Sequence, residues 1–416
     1  MPSEGSPSSR RGAGVIPAGW TWATLRQAVT DYSGGSPILK LEYGEDGIPV
    51  LAKGDIKRFG RIQHGGRFVS PETARRQGYR KTKPGDFLLT TRDLTQDADF
   101  LGLLAPVPES QEFIANQGAN LIRLSGDVDG RFIVYWCNGP VYRAYVKTHY
   151  VGSTQIHIRK DDFLDAPLLI PPLPQQQAIA EVLSAFDDKI DSNERVIDIG
   201  EKSLRARFDR EAVSQESWGT GGAVLEDVLS NVRDARQPAD LASDTPYVGL
   251  EHLARGSVII RDRGVAADVT SGKLVFQQHD ILFGKLRPYF RKVALAFDSG
   301  VCSLDVLVLR SREVDWLPYA LMLTSSQAFI DYCDGASSGT RMPRVSWRDM
   351  ASYSISSPTS SNWVAFNEFA VPLLDRINAA ALESRRLSAL RDILLPPLLS
   401  GELRVRDAEA LVSEAV

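Results

Sequence analysis

The sequence predicts an α+β protein with an internal pseudo-twofold repeat: two similar α/β domains separated by two long antiparallel coiled-coil helices. Three observations lead there. First, the stretch from Gly152 to Asn193 aligns without a gap on a stretch beginning at Gly339. Gly152 meets Gly339, Ile158 meets Val345, Asp162 meets Asp349, Asp188 meets Asp375 and Ile190 meets Ile377, all at a shift of 187 residues. Second, each copy of this stretch runs into a long segment whose apolar residues recur at alternating spacings of four and three, the seam of a coiled coil. Third, the regions upstream mix short aliphatic runs with Gly, Asp and Pro, as short strands and turns do. A duplicated unit means two similar domains, and such pairs usually address a target with two parts.

Residues 1–16 (MPSEGSPSSRRGAGVI) lack an apolar core and read as a disordered tail rather than a signal peptide. A first globular domain is expected over 17–170. Its opening, Ala23–Val29, resembles Ala223–Leu229, Pro49–Leu51 resembles Pro246–Val248, and Gly85–Leu89 resembles His279–Phe283. The shifts of 200, 197 and 194 place loops of unequal length between shared pieces. Ile48–Leu51, Phe87–Leu89, Leu121–Leu124 and Val306–Leu309 are strand candidates. Arg131–Trp136 and Leu317–Met322 each read as a run preceding a helix.

The first helical spacer, 171–218, opens after Pro171–Pro172–Leu173–Pro174, since proline is tolerated at a helix start. Ile179, Leu183, Phe186 and Ile190 begin its seam, with Asn193 on the seam as a register-setting polar residue. Trp218 and Gly219–Gly222 mark the exit. The second domain covers 219–357 and the second spacer 358–403, followed by a tail at 404–416. Leu373, Ile377 and Leu387 carry the second seam. An interior proline costs about 3 kcal/mol in a helix, so Pro372 predicts a break or bend. Pro396–Pro397 predicts an end at Leu395.

Composition narrows the function classes. The chain has 416 residues, enough for two or three cores, and an ordinary charged fraction of 24%. Cys137, Cys302 and Cys333 are scattered and odd in number, which points to a reducing cytoplasm and away from a disulfide framework. The five histidines share no metal-ligand spacing with them, so no metal site is expected. No run approaches the roughly 18 apolar residues of a membrane span. No phosphate loop, dinucleotide fingerprint or nucleophile elbow occurs, and no catalytic residue is assigned.

Contact chemistry stands out instead. The net charge is −4, yet between Lys53 and Lys83 ten basic residues face only Asp55 and Glu72. Two readings stand: a solvated basic surface, or a stripe that binds phosphates. Lys53, Lys57, Arg58, Arg61, Arg80 and Lys81 are the candidates there. Gly284–Lys292 packs Lys285, Arg287, Arg291 and Lys292 around Tyr289 and Phe290; cations reach phosphates, and arginine can read guanine edges. Ser338–Arg344 adds Thr340, Arg341 and Arg344. In the first domain Ser153, Thr154 and Gln155 hold the equivalent place, and Thr91 and Arg92 follow Asp86 as Lys285 and Arg287 follow Asp280. Equivalent loops with different side chains fit two modules that read different sequences.

Four passages together resemble the specificity subunit of Type I restriction–modification systems: Asp280–Tyr289, Gly339–Pro343, Ile170–Ile190 and Leu394–Leu403. They span both repeats. The resemblance implies two target-recognition domains, each reading half of a split site on double-stranded DNA, with helices that set the gap and dock two modification (methyltransferase) subunits. It implies no cofactor on this chain. S-adenosylmethionine, magnesium and ATP belong to the partners, and restriction–translocase subunits add cleavage where they exist. The second spacer departs from the pattern by lacking the Gln175–Gln177 run, and the first domain lacks the Lys-Leu-Arg-Pro-Tyr loop. A self-contained DNA-modifying or nuclease enzyme and a regulatory DNA-binding scaffold remain as alternatives.

The helices generate a geometric prediction. About 35–40 helical residues at ~1.5 Å each span roughly 50–60 Å. If the helices set the gap, four residues inserted after Asn193 add ~6 Å and roughly keep the seam in phase. The modified DNA site should keep both half-sequences and gain one or two base pairs between them at ~3.4 Å each. A folded, methylating variant with the original gap would separate helix length from spacing.

Overall fold

The computed structural model describes residues 16–213, 222–339 and 341–415. The expected tail at 1–16, save Ile16, and the expected helix exit at Trp218 and Gly219–Gly221 lie outside them. Two compact units divide the chain. One holds the first 188 residues with 388–416; the other holds 189–387. Both long helices therefore contribute to both units.

In the first unit, strands Val29–Ser33, Ala119–Leu124, Asp86–Thr90 and Leu104–Pro106 form one antiparallel sheet in that order. In the second, Leu229–Val232, Val306–Ser311, Ile281–Gly284 and Val293–Leu295 repeat the same order and sense. Each unit also has a parallel strand pairing nearby: Val50 with Ile114, and Tyr247 with Val301. All four strand candidates from the sequence are strands.

The duplication extends to single hydrogen bonds. The Leu25 N–H donates to the Ala166 carbonyl at 3.0 Å, and Leu225 to Tyr353 at 2.9 Å. Asp86 opens its strand and binds Arg123 at 2.6 Å; Asp280 precedes its strand and takes Arg310 through two bonds of 2.7 and 2.8 Å. Each carboxylate also accepts the N–H three residues back, from Lys83 and from Gln277. One acidic side chain thus closes the turn and ties it to the neighbouring strand.

Arg131–Trp136 and Leu317–Met322 correct the sequence reading. They are themselves helical, within Gly130–Asn138 and Leu317–Thr324. Asp129 caps the first by accepting from the Phe132 N–H at 3.0 Å. All eight residues of the second are buried, so no polar face betrays its period.

The first long helix runs from Leu173 to Val213 and the second from Ser361 to Ser400. The second helix runs through Pro372 without a break, and the expected end at Leu395 is overturned. Pro372 and Glu368, whose carbonyl loses its partner, are both exposed, so water can satisfy that group. The end comes instead at Gly401, in the left-handed region at φ 75°. A further helix, Val405–Ala415, follows.

Ile179, Leu183, Phe186, Ile190, Ile377 and Leu387 are buried. Leu373 is half-buried and Leu374 takes the deeper place. In the second unit the helices are antiparallel and close. A Cβ on Gly200 would stand 2.6 Å from the Ile377 side chain. Asn193, buried on the seam, donates to Glu383 at 2.9 Å, and Lys189 pairs with the same carboxylate at 3.1 Å. Phe208, Trp363 and Phe366 then close the core against Tyr319 of the domain. In the first unit, Gln176 ties the start of the helix to the domain. Its amide accepts from the Asp129 N–H and donates to the Pro171 carbonyl, both at 2.9 Å. The second unit lacks a counterpart of the Gln175–Gln177 run, and Asn367 accepts from the Tyr319 N–H at 3.0 Å instead.

Asp280 is almost wholly buried and Arg310 partly solvated. Arg310→Ala should therefore cost about 2 kcal/mol, less than the 3–5 kcal/mol or so of breaking a fully buried pair. Arg123→Ala should cost about as much in the other unit. Hydrogen exchange of amides in 281–284 and in 86–90 reads the two units separately. Unchanged protection in both variants would deny the pairs a role in holding the strands.

Candidate nucleic-acid interface

Each sheet delivers its central strand into a loop fixed by the same backbone bonds. The Thr91 N–H donates to the Gly118 carbonyl, and the Lys285 N–H to the Asp305 carbonyl, both at 3.0 Å. The Ile158 N–H returns to Thr91 at 3.2 Å, and Val345 to Lys285 at 3.1 Å. Thr91 and Lys285 are therefore structural equivalents, which sets Asp93 opposite Arg287. The companion loops begin at Gly152 and Gly339, with φ of 105° and 100°. A Cβ on Gly152 would lie 2.3 Å from the Gln155 carbonyl oxygen, so this turn requires glycine.

In the second unit the Arg287 N–H donates to the Pro343 carbonyl at 2.8 Å, and Leu286 bridges to Arg344. This seats Lys285 and Arg287 beside Arg341 and Arg344. The Arg287 side chain reaches the Arg341 carbonyl at 3.5 Å, and Arg344 reaches the Asp305 carboxylate at 3.4 Å. Lys285 lies 3.9 Å from the same carboxylate. Tyr289 projects at 48% exposure. Thr340 lies outside the described residues. Arg287 and Arg291 both hold left-handed backbone, at φ 52° and 50°, flanking the Pro288–Phe290 turn. Such strain in non-glycine residues marks a loop whose shape the surroundings dictate.

Two candidates of this group turn inward. Arg291 donates to the Ser325 carbonyl at 2.9 Å and to Gln327 at 3.2 Å. Lys292 donates to the Leu250 carbonyl, and burial, reinforced by Arg255, lowers its proton affinity. Arg255 itself carries no signal in the sequence. Its guanidinium stacks 3.7 Å from the centre of the Phe290 ring, a contact no local pattern announces.

The basic stretch of the first unit divides into separate groups. Lys53, Lys57 and Arg92 line one concave site. Burial lowers the proton affinity of Lys53; Asp93 opposes this and Arg92 adds to it. Thr91 is buried, its hydroxyl 3.3 Å from the Gly118 carbonyl. Arg58 lies over the Phe59 ring at 5.0 Å, in a turn tied to Asn138 by the Phe59 N–H at 3.2 Å. Arg391 also lies over that ring, at 3.5 Å, and pairs with the buried Asp187. Arg61 acts electrostatically on that same carboxylate. Lys81 pairs with Glu112 at 2.7 Å, and Arg80 stands exposed beside it. Ser153, Thr154 and Gln155 are exposed, with the Ser153 carbonyl accepting from Gln96.

Among the described residues, no group of three or more His, Cys, Asp or Glu side chains could hold a metal ion. The three cysteines are buried and unpaired, and burial pushes their thiols well above the ordinary range. Among the described residues, no helix is long and apolar enough to cross a membrane.

Residues 33–199 match the model of the Type I restriction modification DNA specificity domain. The chain is 25% identical over 248 residues to the Type I restriction enzyme EcoDI specificity subunit of Escherichia coli, covering 50% of this chain and 54% of that one. It therefore spans about half the length of that relative. It is 22% identical to the MjaIX specificity subunit of Methanocaldococcus jannaschii over 95% of this chain and 96% of that one. A crystal structure of the Type I restriction–modification S subunit from M. genitalium shares the fold, with a TM-score of 0.58 and 14% identity across 94% of this chain and 98% of that one. Residues 33–199 thus carry the match to a Type I specificity domain, and along most of its length the chain is similar to Type I specificity subunits in sequence and shares the fold of one.

Proposed function

We propose that the chain is the non-catalytic DNA-reading subunit of a Type I restriction–modification complex. It recognises a bipartite duplex site and positions two modification subunits, which methylate adenine. The observation that carries this reading is the pair of equivalent loops: one backbone scaffold, duplicated, bearing different side chains. A duplicated scaffold with divergent tips suits two half-sites of different sequence, because phosphate contacts position a reader while base contacts specify.

In the second unit Lys285, Arg287, Arg341 and Arg344 form the phosphate- and base-facing group, with Tyr289 at its edge. Arg291 and Lys292 hold that loop in shape. In the first unit Lys53, Lys57 and Arg92 form the corresponding group. Ser153, Thr154 and Gln155 stand on the companion loop. Arg58, Arg61, Arg80 and Lys81 remain basic surface outside these groups and contribute long-range attraction. In this reading 17–170 and 219–357 are the two target-recognition domains, and 171–218 and 358–403 are the helical spacers.

Two measurements test this. The purified chain should transfer no methyl group from a labelled donor to DNA until modification subunits are added; transfer by the chain alone would make it an enzyme. In the assembled complex, Lys285→Ala with Arg287→Ala should weaken DNA binding. The salt slope should fall by about 0.9 for every phosphate the variant no longer neutralises. Arg291→Ala should loosen the loop at an almost unchanged slope. Equal slopes in all variants would place the loop away from DNA.

A further inference from the structure

Lys53, Lys57 and Arg92 share a concave site of about 210 Å³ with two apolar side chains, Leu94 and Phe100. Leu94 is 69% exposed and Phe100 45%. Single exposed apolar residues are ordinary on any surface, but three observations set this pair apart.

Its loop is held shut. The Asp93 carboxylate accepts from the N–H groups of Leu94, Thr95 and Phe100 at 2.7, 3.1 and 3.0 Å. Burial pushes its proton affinity up, and these hydrogen bonds outweigh that and bring it below the usual carboxylate value. The two apolar side chains are thus presented by a pre-ordered backbone, which lowers the cost of binding. The repeat agrees: Asp93 holds the place of Arg287, and the segment after Arg287 presents the exposed Tyr289. Both units therefore set an apolar or aromatic group among cations just past the central strand. Finally, Asp97 and Asp99 on the same loop are exposed. They disfavour contact with phosphates, so the loop's own contact with DNA falls on bases while the three cations hold the backbone.

We propose that Leu94 and Phe100 seat the 5-methyl group of a thymine in the first half-site. The major groove displays that methyl, and apolar side chains recognise it there. The site is concave and receives a protruding group, whereas a side chain that wedges between base pairs has to protrude itself. This assignment rests on the DNA-reading function proposed above.

The test uses the assembled complex and DNA in which each thymine of the first half-site is replaced, one at a time, by uracil, which lacks only the methyl. One replacement should weaken binding about fourfold, the effect of one buried methylene-sized group at about 0.8 kcal/mol. The penalty should vanish in the Leu94→Ala, Phe100→Ala double variant and persist in part in Phe100→Leu, which keeps an apolar side chain and guards against a folding defect. A half-site without thymine, no uracil effect in the wild type, or an undiminished effect in the double variant would each overturn the assignment while leaving DNA reading intact. Absence of sequence-specific binding by the wild-type complex would overturn both.

Discussion

The position of both equivalent loops depends on one carboxylate at the start of a central strand. Asp86 and Asp280 close the turn that precedes the strand and bind an arginine of the neighbouring one. Because side chains alternate along a strand, a slip of one residue would invert every face. The pair fixes the register at one end, and the loop at the other end inherits it four or five residues later. The bonds that hold Thr91 and Lys285 in equivalent frames require that register. A charge placed far from the loop tips thus decides where the tips point.

The long helices solve a second problem, that of keeping a seam in phase over some forty residues. Apolar packing alone tolerates sliding. Asn193 does not, because its amide is buried and its partner Glu383 lies on the other helix; a shifted register would leave it unpaired, at a cost of about 1–3 kcal/mol. The close approach at Gly200 adds a steric check. In the first unit the buried Asp187–Arg391 pair does similar work, and Tyr135 donates to the same carboxylate at 2.6 Å. Burial raises the proton affinity of Asp187, which Arg391 opposes. The same arginine lies on Phe59, so the helix contact is continuous with the turn bearing Arg58.

Much of this is legible in the chain. The constant shift of 187 residues exposes the repeat, and the four-three spacing locates both seams, since each follows from backbone geometry alone. The misreadings share a cause. Pro372 carries a local penalty, but whether a helix breaks depends on solvent reaching the freed carbonyl and on packing along the opposite face, and neither is local. Leu317–Thr324 shows no helical period because the core surrounds it. Leu94 and Phe100 escape a sequence reading because exposure is a property of the fold. The basic stretch from Lys53 to Lys83 looks continuous because sequence proximity hides the turns that send Lys81 to Glu112 and Arg58 to Phe59.

The two loops also show how a duplicated scaffold can diverge without refolding. The bonds that fix them are made by backbone atoms of Thr91, Gly118 and Ile158 in one unit and of Lys285, Asp305 and Val345 in the other. Those bonds are indifferent to side-chain identity, so the tips can change while the frame stays. The burden of change falls instead on whatever must stabilise each new tip. In the first unit that is Asp93, which commits its charge to three N–H groups and so withdraws it from the surface. In the second it is the inward pair Arg291 and Lys292, which commit theirs to carbonyls. Each loop therefore uses part of its own charge to hold its shape. What remains outward is a mixed cationic and apolar edge in the first unit and a predominantly cationic one in the second. If the loops read DNA as proposed, their two half-sites would be recognised through different balances of backbone attraction and base contact, although the scaffolds beneath them are the same.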